Sequence, residues 1–327
     1  MRISVCVPVF NAERYVERCA RSLFGQTMTE GVEFIFVDDG SPDASMDIVR
    51  RVAAEFPALN VRLLAHGRNR GLPAARRTAV EAAKGDYIAH VDSDDWVEPQ
   101  YLEMLHAAAV ANGAEIVLCD RVDHYGDARR VWRCGEVGRS GLAMSIWNNE
   151  LPVHVWGKLM ARRIFIAHPE CLAPDDICDG EDRFTTVRVA FYARGHAFVR
   201  RVLYHYECAN ALSMTNLCPP SYAGCKERLW LRTADFFRRE CPDGSLDGEV
   251  LRGILRDKSV IMHFSPMAFK RRLAPLFRDV EMPFVRRLSR GLRLSSTLAH
   301  YRLWPLLWLM SKYVGWSERR ARRRSSV

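Results

Sequence analysis

The first hundred residues alternate between short apolar runs and amphipathic segments, and this alternation restricts the possible folds more than any other feature. Four runs rich in β-branched and aromatic residues are typical of strands, at residues 3–9, 33–37, 61–65 and 87–91. Between them, apolar residues recur at helical spacing in residues 12–26, 44–56 and 72–85. The order β-α-β-α-β-α-β predicts an α/β fold in which helices cover a mostly parallel sheet.

Polar residues follow each of the four predicted strands. The stretches are PVFN, which holds Phe10 and Asn11, DDGS, which holds Asp39, then HGRNRG and DSDD. The carboxyl ends of parallel strands share one edge of a sheet, and ligands bind outside that edge. One such stretch alone is best interpreted as a polar loop. Four of them at the same edge predict a ligand site.

The DSDD stretch, residues 92–95, places three carboxylates at the end of the fourth strand. Neither a GxGxxG nor a GxxxxGK[ST] loop occurs in the chain, which argues against dinucleotide and P-loop chemistry. Asp92 and Asp94 flank one residue, so on an extended segment both can face the same way and hold Mg²⁺ or Mn²⁺, with a diphosphate supplying further oxygens. The alternative is that Asp94 or Asp95 caps the segment that follows Trp96.

Residues 3–100 as a whole resemble the N-terminal half of the family 2 glycosyltransferases, which have the GT-A fold. The resemblance rests on PVFN, VDDGS, NRGLPAARRT and DSDD at these spacings. It implies a nucleotide-sugar site in which Pro8, Phe10 and Asp39, with Asn11 beside them, line the base and ribose. It also implies that Asp92 and Asp94 form the DxD pair at the metal and the diphosphate, and that Arg76 lies near the nucleotide.

The second hundred residues are expected to form the acceptor half. The segment VWGKLMARRIF, residues 155–165, resembles the Trp-x-Lys-Leu segment of capsule and lipopolysaccharide glycosyltransferases, so Trp156 and Lys158 are predicted to lie at the acceptor. Trp156 can stack on a sugar or fill the core, since buried aromatic residues are common.

A second specific block covers residues 179–215, which resemble the family's GEDxxF…LYxYRxxxxSxT region. The resemblance places Asp182 at the position of the general base, with Glu181 beside it. From the residues alone, an equally good interpretation is a helix start in which Asp179 is the cap and the two acids occupy the first turn.

The end of the same block departs from the family pattern at one position. Glu207 stands where the family usually has arginine, which puts a phosphate contact from this position in doubt. Ser213 and Thr215 match the pattern and are predicted to reach the diphosphate or the acceptor. His205 is predicted as a third metal ligand, the alternative being a packed histidine in an apolar run.

The C-terminal region has a different composition. Residues 251–327 hold 18 Lys and Arg against 4 Asp and Glu, a net charge of +14, whereas the whole chain carries +9. The longest apolar stretch, LWPLLWLM at residues 303–310, is far shorter than the roughly 20 residues of a membrane-spanning helix. Basic residues interleaved with tryptophans predict an anionic membrane surface as partner rather than nucleic acid. The alternative is a solvated basic tail.

The start of the chain leads directly into the first predicted strand, and none of the ten cysteines forms a CxxC pair. We therefore expect no cleaved leader, reduced thiols, and a cytoplasmic protein peripheral on the inner membrane.

These features combine into one prediction. Residues 1–215 form a GT-A catalytic domain, with a nucleotide-sugar half at 1–100 and an acceptor half at 101–215, and residues 216–327 form a helical basic region. The chain is expected to be an inverting, metal-dependent hexosyl- or N-acetylhexosaminyltransferase that uses Mn²⁺ or Mg²⁺. The donor is a nucleotide-diphosphate sugar, preferably a UDP-sugar, and the acceptor is a glycan or is lipid-linked, in bacterial surface polysaccharide or lipopolysaccharide synthesis.

Two rival functions remain open at this point. A sugar-1-phosphate nucleotidyltransferase shares the α/β layout but needs a glycine-rich basic loop after the first strand, which PVFNAERY lacks. A catalytically inactive membrane-bound scaffold would be favoured by loss of the DxD or ED pair, and both pairs are present.

Overall fold

A mixed β-sheet flanked by helices organises the N-terminal part of the protein. The computed structural model describes residues 2–210 and 222–313. The chain divides into two compact units, Met1–Leu217 and Cys218–Val327. Ser213 and Thr215, which the sequence assigns to the donor site, lie outside the described residues.

The first unit contains nine strands and seven α-helices within the part of it that the structure describes. The strands are β1 (Ile3–Val9), β2 (Val32–Asp38), β3 (Asn60–Ala65), β4 (Tyr87–His90), β5 (Trp96–Val97), β6 (Ile116–Tyr125), β7 (Ala128–Trp132), β8 (Lys158–Ala161) and β9 (His196–Glu207). The helices are α1 (Val16–Phe24), α2 (Ser45–Ala54), α3 (Leu72–Ala82), α4 (Tyr101–Asn112), α5 (Gly141–Trp147), α6 (Arg162–Ala167) and α7 (Glu181–Tyr192).

The strands form one sheet in the order β3-β2-β1-β4-β8-β6-β9-β5, and β7 pairs with β6. The four strands predicted from the first hundred residues are adjacent and mutually parallel, which confirms the α/β prediction. β8 then runs antiparallel to both β4 and β6, and β6 runs parallel to β9. The predicted ligand edge is therefore shared by β1, β2, β3 and β4, whose carboxyl ends lie side by side.

Apolar burial explains why β1, β2 and β4 lie inside the sheet, whereas the partly exposed β3 lies at its edge. All seven residues of β1 are buried, so this strand has the continuous apolar character of a parallel strand covered on both faces. In α1 one helical face is buried, and its Phe24 ring packs edge-on against Phe34 of β2 at a centroid distance of 5.4 Å. Such aromatic contacts hold the helix on the sheet.

Glycine is required where the loops after β2 and β3 meet. Gly40 has φ +70°, and a Cβ at this position would lie 2.7 Å from the carbonyl carbon of Arg68. Any larger residue would force the loops apart, since non-bonded carbon atoms approach to about 3.5 Å at best. The glycine of DDGS thus keeps the two polar loops adjacent at the ligand edge.

The start of α7 differs from one of the two interpretations of its sequence. Its N-cap is Gly180, with φ 88°, and no side chain caps the helix, so capping by Asp179 is not found. Glu181 and Asp182 occupy the first turn, as the spacing predicts. Cys178, just before this turn, is disulfide-bonded, so the prediction of reduced thiols is wrong at this position.

The second unit is helical throughout its described part. Its helices are α8 (Tyr222–Glu240), α9 (Asp247–Phe264), α10 (Met267–Leu273), α11 (Arg278–Val285), α12 (Arg290–His300) and a last helical segment at residues 304–313. Trp230, Phe236 and Phe237 of α8 are fully buried in its core. None of the described helices is both long enough and apolar enough to cross a membrane.

Candidate active site

Arg76 of α3 lies at the centre of the site. Its guanidinium donates to Asp92 Oδ1 at 2.8 Å, to Glu181 Oε1 at 3.1 Å and to Asp182 Oδ1. Its side chain is only 7% exposed, and α3 brings it under the ligand edge because Pro73 starts that helix directly after the loop that follows β3. The DSDD and GED motifs, which are far apart in the sequence, therefore both contact the guanidinium of Arg76.

The DSDD loop is held by β9 and by the segment after it. Asp95 is fully buried and accepts from Tyr204 Oη at 2.6 Å and from the backbone N–H of Glu207 at 2.8 Å. Asp94 Oδ2 accepts from Asn210 Nδ2 at 2.9 Å. Asp95 is therefore an anchor for the loop and not a helix cap, while Asp92 and Asp94 remain partly exposed.

Burial and mutual repulsion set the protonation of this loop. Burial first, and the Asp92 charge second, raise the pKa of Asp94 to about 6. Burial together with the Asp94 and Asp92 charges raises the pKa of Asp95 well above its usual value. A carboxylate whose pKa is raised by its neighbours is stabilised by any cation that arrives beside it.

The Glu181–Asp182 pair has a different electrostatic environment. Burial and the neighbouring Asp182 charge raise the pKa of Glu181. Burial also acts on Asp182, but the Arg76 charge and His154 outweigh it and lower the pKa of Asp182. Asp182 is thus kept ionised at neutral pH, and His154 Nδ1 lies 3.6 Å from its Oδ2.

The residues predicted to line the nucleotide lie at the ends of β1 and β2. Pro8 is buried within β1, whereas Phe10 just beyond it is 46% exposed. Asn11 has φ 51° and its N–H donates to Ser41 Oγ at 2.7 Å. Asp39 is buried and accepts from the N–H groups of Arg70 and Gly71, at 2.9 and 2.8 Å. Asp39 therefore orders the loop that leads to Arg76, and its contact with a nucleotide stays a prediction.

His205 has partners other than a metal site. Its Nε2 lies 2.8 Å from Glu98 Oε1, its Nδ1 lies 3.0 Å from His124 Nε2, and its ring stacks on Trp96 at 4.9 Å. Both ring nitrogens are thus engaged, which favours the packed histidine. Its role as a metal ligand stays a prediction.

The residues predicted at the acceptor are buried next to Asp182. Trp156 stacks between His154, at 4.1 Å, and Tyr204, at 4.6 Å. Lys158 is 1% exposed, its Nζ donates to the carbonyl of His154, and burial lowers its pKa to about 8. These contacts support a core role for Trp156, and acceptor binding by either residue stays a prediction.

Three contributing residues were missed by the sequence analysis. They are His154, Tyr204 and Arg18. The Arg18 guanidinium stacks on Trp96 at 3.6 Å and donates to the carbonyl of Asp94 at 3.0 Å. Tyr204 belongs to the LYxY motif, which was a usable signal. His154 and Arg18 belong to no motif, and only the tertiary structure brings them to the site.

The carboxylates of Asp92 and Asp94 can supply some of the ligands of a hard divalent cation. Carboxylate oxygens are the ligands that Mg²⁺ and Mn²⁺ prefer, and Asp94 and the second oxygen of Asp92, whose Oδ1 is bonded to Arg76, offer them. Among the described residues, no group of three or more His, Cys, Asp or Glu side chains could hold a metal ion. Asp92 and Asp94 therefore fit a cation whose remaining ligands come from the substrate and water.

Comparison with known proteins identifies a family. The model of glycosyl transferase family 2 matches residues 4–168, just over half of the 327 residues. The chain is 32% identical over 212 residues to EpsH of Bacillus subtilis, which bears a glycosyltransferase name. The match covers 62% of this chain and spans 60% of the length of EpsH.

Two solved structures share the fold. Staphylococcus aureus TarS, residues 1–349 with UDP, superposes with a TM-score of 0.72 at 16% identity, over 97% of this chain and 92% of that one. The mannosyltransferase PcManGT of Pyrobaculum calidifontis, with GDP-Man and Mn²⁺, has a TM-score of 0.52 at 16% identity, over 95% of this chain and 87% of that one. These likenesses concern the fold alone, and they confirm the GT-A prediction.

Proposed function

Because the chain belongs to glycosyl transferase family 2, we propose that it transfers a sugar from a nucleotide-diphosphate sugar to an acceptor hydroxyl, with inversion at the anomeric carbon. One observation carries the proposal: Arg76 joins Asp92 to the Glu181–Asp182 pair in a single buried network. The group that stabilises the leaving diphosphate and the group that accepts the proton of the acceptor must be neighbours. This network places Asp92 and Asp182 next to each other.

The proposed reaction divides between the two carboxylate groups. Asp92 and Asp94 act on the donor diphosphate through the cation that they would hold. Asp182 is the general base that removes the acceptor proton as the hydroxyl attacks. Attack by one hydroxyl on the face opposite the diphosphate inverts the anomeric centre. The Arg76 charge lowers the pKa of Asp182 and so keeps this carboxylate ionised. An asparagine at this position could not ionise.

We propose that the cation is Mn²⁺ or Mg²⁺ and that Asp92 and Asp94 hold it. When bound, it neutralises the negative charge that gathers on the leaving diphosphate. The Asp94 carboxylate, whose pKa is raised by burial and by the Asp92 charge, and the Mn²⁺ in the PcManGT complex support this assignment.

The donor is proposed to be a UDP-sugar that carries a hexose or an N-acetylhexosamine. The UDP complex of TarS supports the nucleotide, since TarS has the same fold. The half-exposed Phe10 at the end of β1 supports a nucleotide base as its stacking partner. The acceptor is proposed to be a glycan or a lipid-linked glycan in bacterial surface polysaccharide or lipopolysaccharide synthesis.

An anionic membrane surface is the proposed partner of the second unit. The last helical segment and the residue before it expose apolar side chains, while Leu307 is buried in its unit. The exposed ones are Leu303, Leu306, Trp308, Leu309 and Tyr313. Lys312 Nζ lies 5.3 Å from the Trp308 ring, and the net charge of +14 over residues 251–327 complements anionic lipid. Such a surface supports binding in the plane of the interface.

The experiment that tests the function is a thermal-shift screen of UDP- and GDP-sugars with Mn²⁺, followed by an assay for nucleoside diphosphate release. At least one nucleotide sugar should raise the Tm in the presence of Mn²⁺ and less so with a chelator. Asp39→Ala should reduce that shift, whereas Asp47→Ala, on the exposed surface of α2, should not. Absence of a shift with every nucleotide sugar would contradict the proposal.

A further inference from the structure

One face of the hairpin formed by β6 and β7 carries arginine and tryptophan side chains that no motif identifies. Residues directly opposite each other in an antiparallel pair point to the same side, and here Arg121 faces Trp132 while Asp123 faces Arg130. On the other side of β6, the parallel register with β9 places Tyr204 beside Arg121. These side chains therefore share one face of the sheet.

This face continues to the candidate active site. The Arg121 guanidinium lies 5.2 Å from the centre of the Trp132 ring and 5.3 Å from that of Trp156. Trp156 stacks on His154 at 4.1 Å, and His154 Nδ1 lies 3.6 Å from Asp182 Oδ2. A continuous row of rings and cations therefore leads from the proposed base to the edge of the sheet. The name arginine–tryptophan face is used below for Trp156, Arg121, Trp132 and Arg130.

Exposure increases along this face from the site outward. Trp156 is 3% exposed, the Arg121 side chain is 14% exposed, and Trp132 is 37% exposed. All five residues of β7 are exposed, and among the described strands β7 pairs with β6 alone. An extended ligand can therefore lie along the face from solvent toward the base, whereas a flat membrane surface does not reach the nearly buried Arg121.

The arginines of this face have unused hydrogen-bond donors. Arg121 Nε donates to Asp123 Oδ1 at 2.8 Å, and the two terminal nitrogens of Arg121 have no hydrogen-bond partner among the described residues. Arg130 lies over the Trp132 ring at 4.0 Å and forms no ion pair within the described part of the chain. Two guanidiniums against one carboxylate leave the face with a net positive charge, and a guanidinium fork binds carboxylate and phosphate oxygens in pairs.

Rings and cations in alternation select a class of ligand. The flat apolar surface of a tryptophan suits the C–H groups of a sugar ring, and the guanidiniums beside it suit negatively charged oxygens. Residues 128–133 hold three arginines and no Asp or Glu. A small cleft at the inner end of the face is lined by Arg121, Pro152, Trp156 and Lys158, which adds a second cation there. This pattern matches a chain in which sugar rings alternate with negative groups.

We propose that the arginine–tryptophan face binds an acceptor glycan that carries negative charge, with Arg121 and Arg130 on its carboxylate or phosphodiester groups and Trp132 on a sugar ring. This inference rests on the proposed glycosyl transfer and specifies the class of its acceptor. The glycan enters along β7 and presents its terminal hydroxyl to Asp182. The residues of the face bind the acceptor and take no part in the chemical step, so their loss should raise the KM for acceptor and leave kcat unchanged.

Two adjacent arginines provide a matched pair of variants on one strand. Arg130→Gln removes a cation from the face. Arg129→Gln removes the same charge from the next residue, which faces His124 on the opposite side of the hairpin because successive residues of a strand alternate. Both arginines are exposed, so neither change should alter Tm.

Calorimetry with three oligosaccharide probes measures binding. The probes are an oligogalacturonate, an oligomer of ribitol phosphate and a neutral maltooligosaccharide of similar length. Wild type should bind at least one anionic probe roughly tenfold or more tightly than the neutral one, a ratio that corresponds to 1.4 kcal/mol. The anionic probe that binds more tightly identifies the recognised group as carboxylate or phosphodiester.

Arg130→Gln should weaken binding of the preferred anionic probe at least roughly fivefold, because it loses hydrogen bonds to a charged group. Arg129→Gln should stay within about twofold of wild type, because exposed charges off the face are screened by salt. Trp132→Ala should weaken all probes that bind, whereas Val131→Ala, on the opposite side, should not.

Arg121→Lys tests the inner cation while keeping a positive charge beside Asp123. Lysine lacks the second arm of the guanidinium fork, so the affinity for the anionic probe should fall at least as much as in Arg130→Gln. Tm reports whether this less exposed position tolerates the change, and the Arg129 and Arg130 pair decides the proposal if it does not. UDP affinity with Mn²⁺ should match wild type in every variant.

Three results would overturn the proposal. Equal losses in Arg129→Gln and Arg130→Gln would show a general attraction of a basic strand for anions. Wild type that binds neither anionic probe, or binds the neutral probe equally well, would exclude an anionic acceptor. Binding to vesicles of phosphatidylglycerol and phosphatidylcholine that falls in Arg130→Gln, with unchanged glycan binding, would assign the face to a membrane.

The proposed function fails separately from this inference. Glycan binding is measured without a donor, so it can be absent in a protein that still binds UDP and releases it from a nucleotide sugar. Wild-type protein that neither binds UDP nor releases it from a donor would contradict glycosyl transfer before any variant is compared.

Discussion

The DSDD loop and the Glu181–Asp182 pair are both buried groups of acids, yet the protein stabilises them in opposite ways. In the DSDD loop, Asp94 and Asp95 are held by neutral donors, namely Asn210, Tyr204 and the N–H of Glu207, and burial raises the pKa values of both. Asp92 of this loop accepts instead from Arg76. The pair at the start of α7 lies against Arg76, and its Asp182 is kept ionised.

The difference indicates what each group is for. A neutral donor fixes the position of the Asp94 carboxylate without cancelling its charge, so Asp94 keeps its attraction for a cation from outside. A buried guanidinium cancels the charge in place, so Asp182 is ionised before any ligand arrives. Four experiments test this contrast, and the DSDD loop should give the larger effect.

Asp94→Ala should abolish turnover and weaken metal-dependent UDP binding. The physical reason is that a cation cannot be held by Asp92 alone while Arg76 occupies Asp92 Oδ1. Calorimetry of UDP with Mn²⁺ measures the binding. Asp175→Ala is the control, because Asp175 is a half-exposed partner of Arg77 outside the site. Equal activity and equal UDP affinity in Asp94→Ala and wild type would contradict the assignment of Asp94 to the metal site.

Asp182→Asn should bind donor normally and transfer sugar at least roughly 100-fold more slowly, because the amide accepts no proton. Single-turnover transfer measures the chemical step. Asp175→Asn should transfer at the wild-type rate. Unchanged transfer in Asp182→Asn would mean that Asp182 is only an acid at a helix start.

Arg76→Lys keeps the charge but loses the forked geometry that reaches both groups at once. We expect the free energy of unfolding to fall by about 1–3 kcal/mol, since buried acceptors lose a partner, and transfer to fall less than in Asp182→Asn. Urea denaturation gives the stability. Arg77→Lys, whose native pair is more exposed, should change it by less than about 1 kcal/mol. If Arg76→Lys and Arg77→Lys lose the same free energy of unfolding, the bonds from Arg76 to both carboxylate groups add no stability beyond that of an ordinary ion pair.

Changing the second unit should leave both carboxylate groups unaffected. Removing residues 300–327 would also remove the buried Leu307 and the Ser311 hydroxyl that accepts from the buried Lys270 at 2.5 Å. The sharper variant is therefore Trp308→Ser with Leu309→Ser, both exposed.

This double variant should sediment less with anionic vesicles than wild type, and wild-type binding should weaken in high salt as charges are screened. UDP affinity should stay unchanged, and transfer to a lipid-linked acceptor should fall. Binding that ignores lipid charge and salt would exclude this surface as the anchor.

Much of the first unit was predictable because local patterns determine it. Apolar runs and helical spacing in the first hundred residues are properties of short segments, so β1 to β4 and α1 to α3 follow the predicted order with boundaries that differ by a few residues. The ligand edge followed from parallel order alone. Asp92 and Asp94 could be located by the same reasoning, since they come directly after the fourth strand.

The partners of the site residues were decided by the tertiary structure. Arg76 of α3 and Asp182 of α7 are 106 positions apart, and only the folded chain brings them into contact. The same holds for His154 and Asp182, which lie 3.6 Å apart. The pairing of β5 with β9 brings Asp95 to Tyr204 and His205 to Glu98. From the sequence, a helix cap by Asp95 was an open alternative, and metal binding by His205 stays a prediction. Periodicity records which face of a segment is buried, but the protonation and reach of a side chain depend on which distant segment is packed against it.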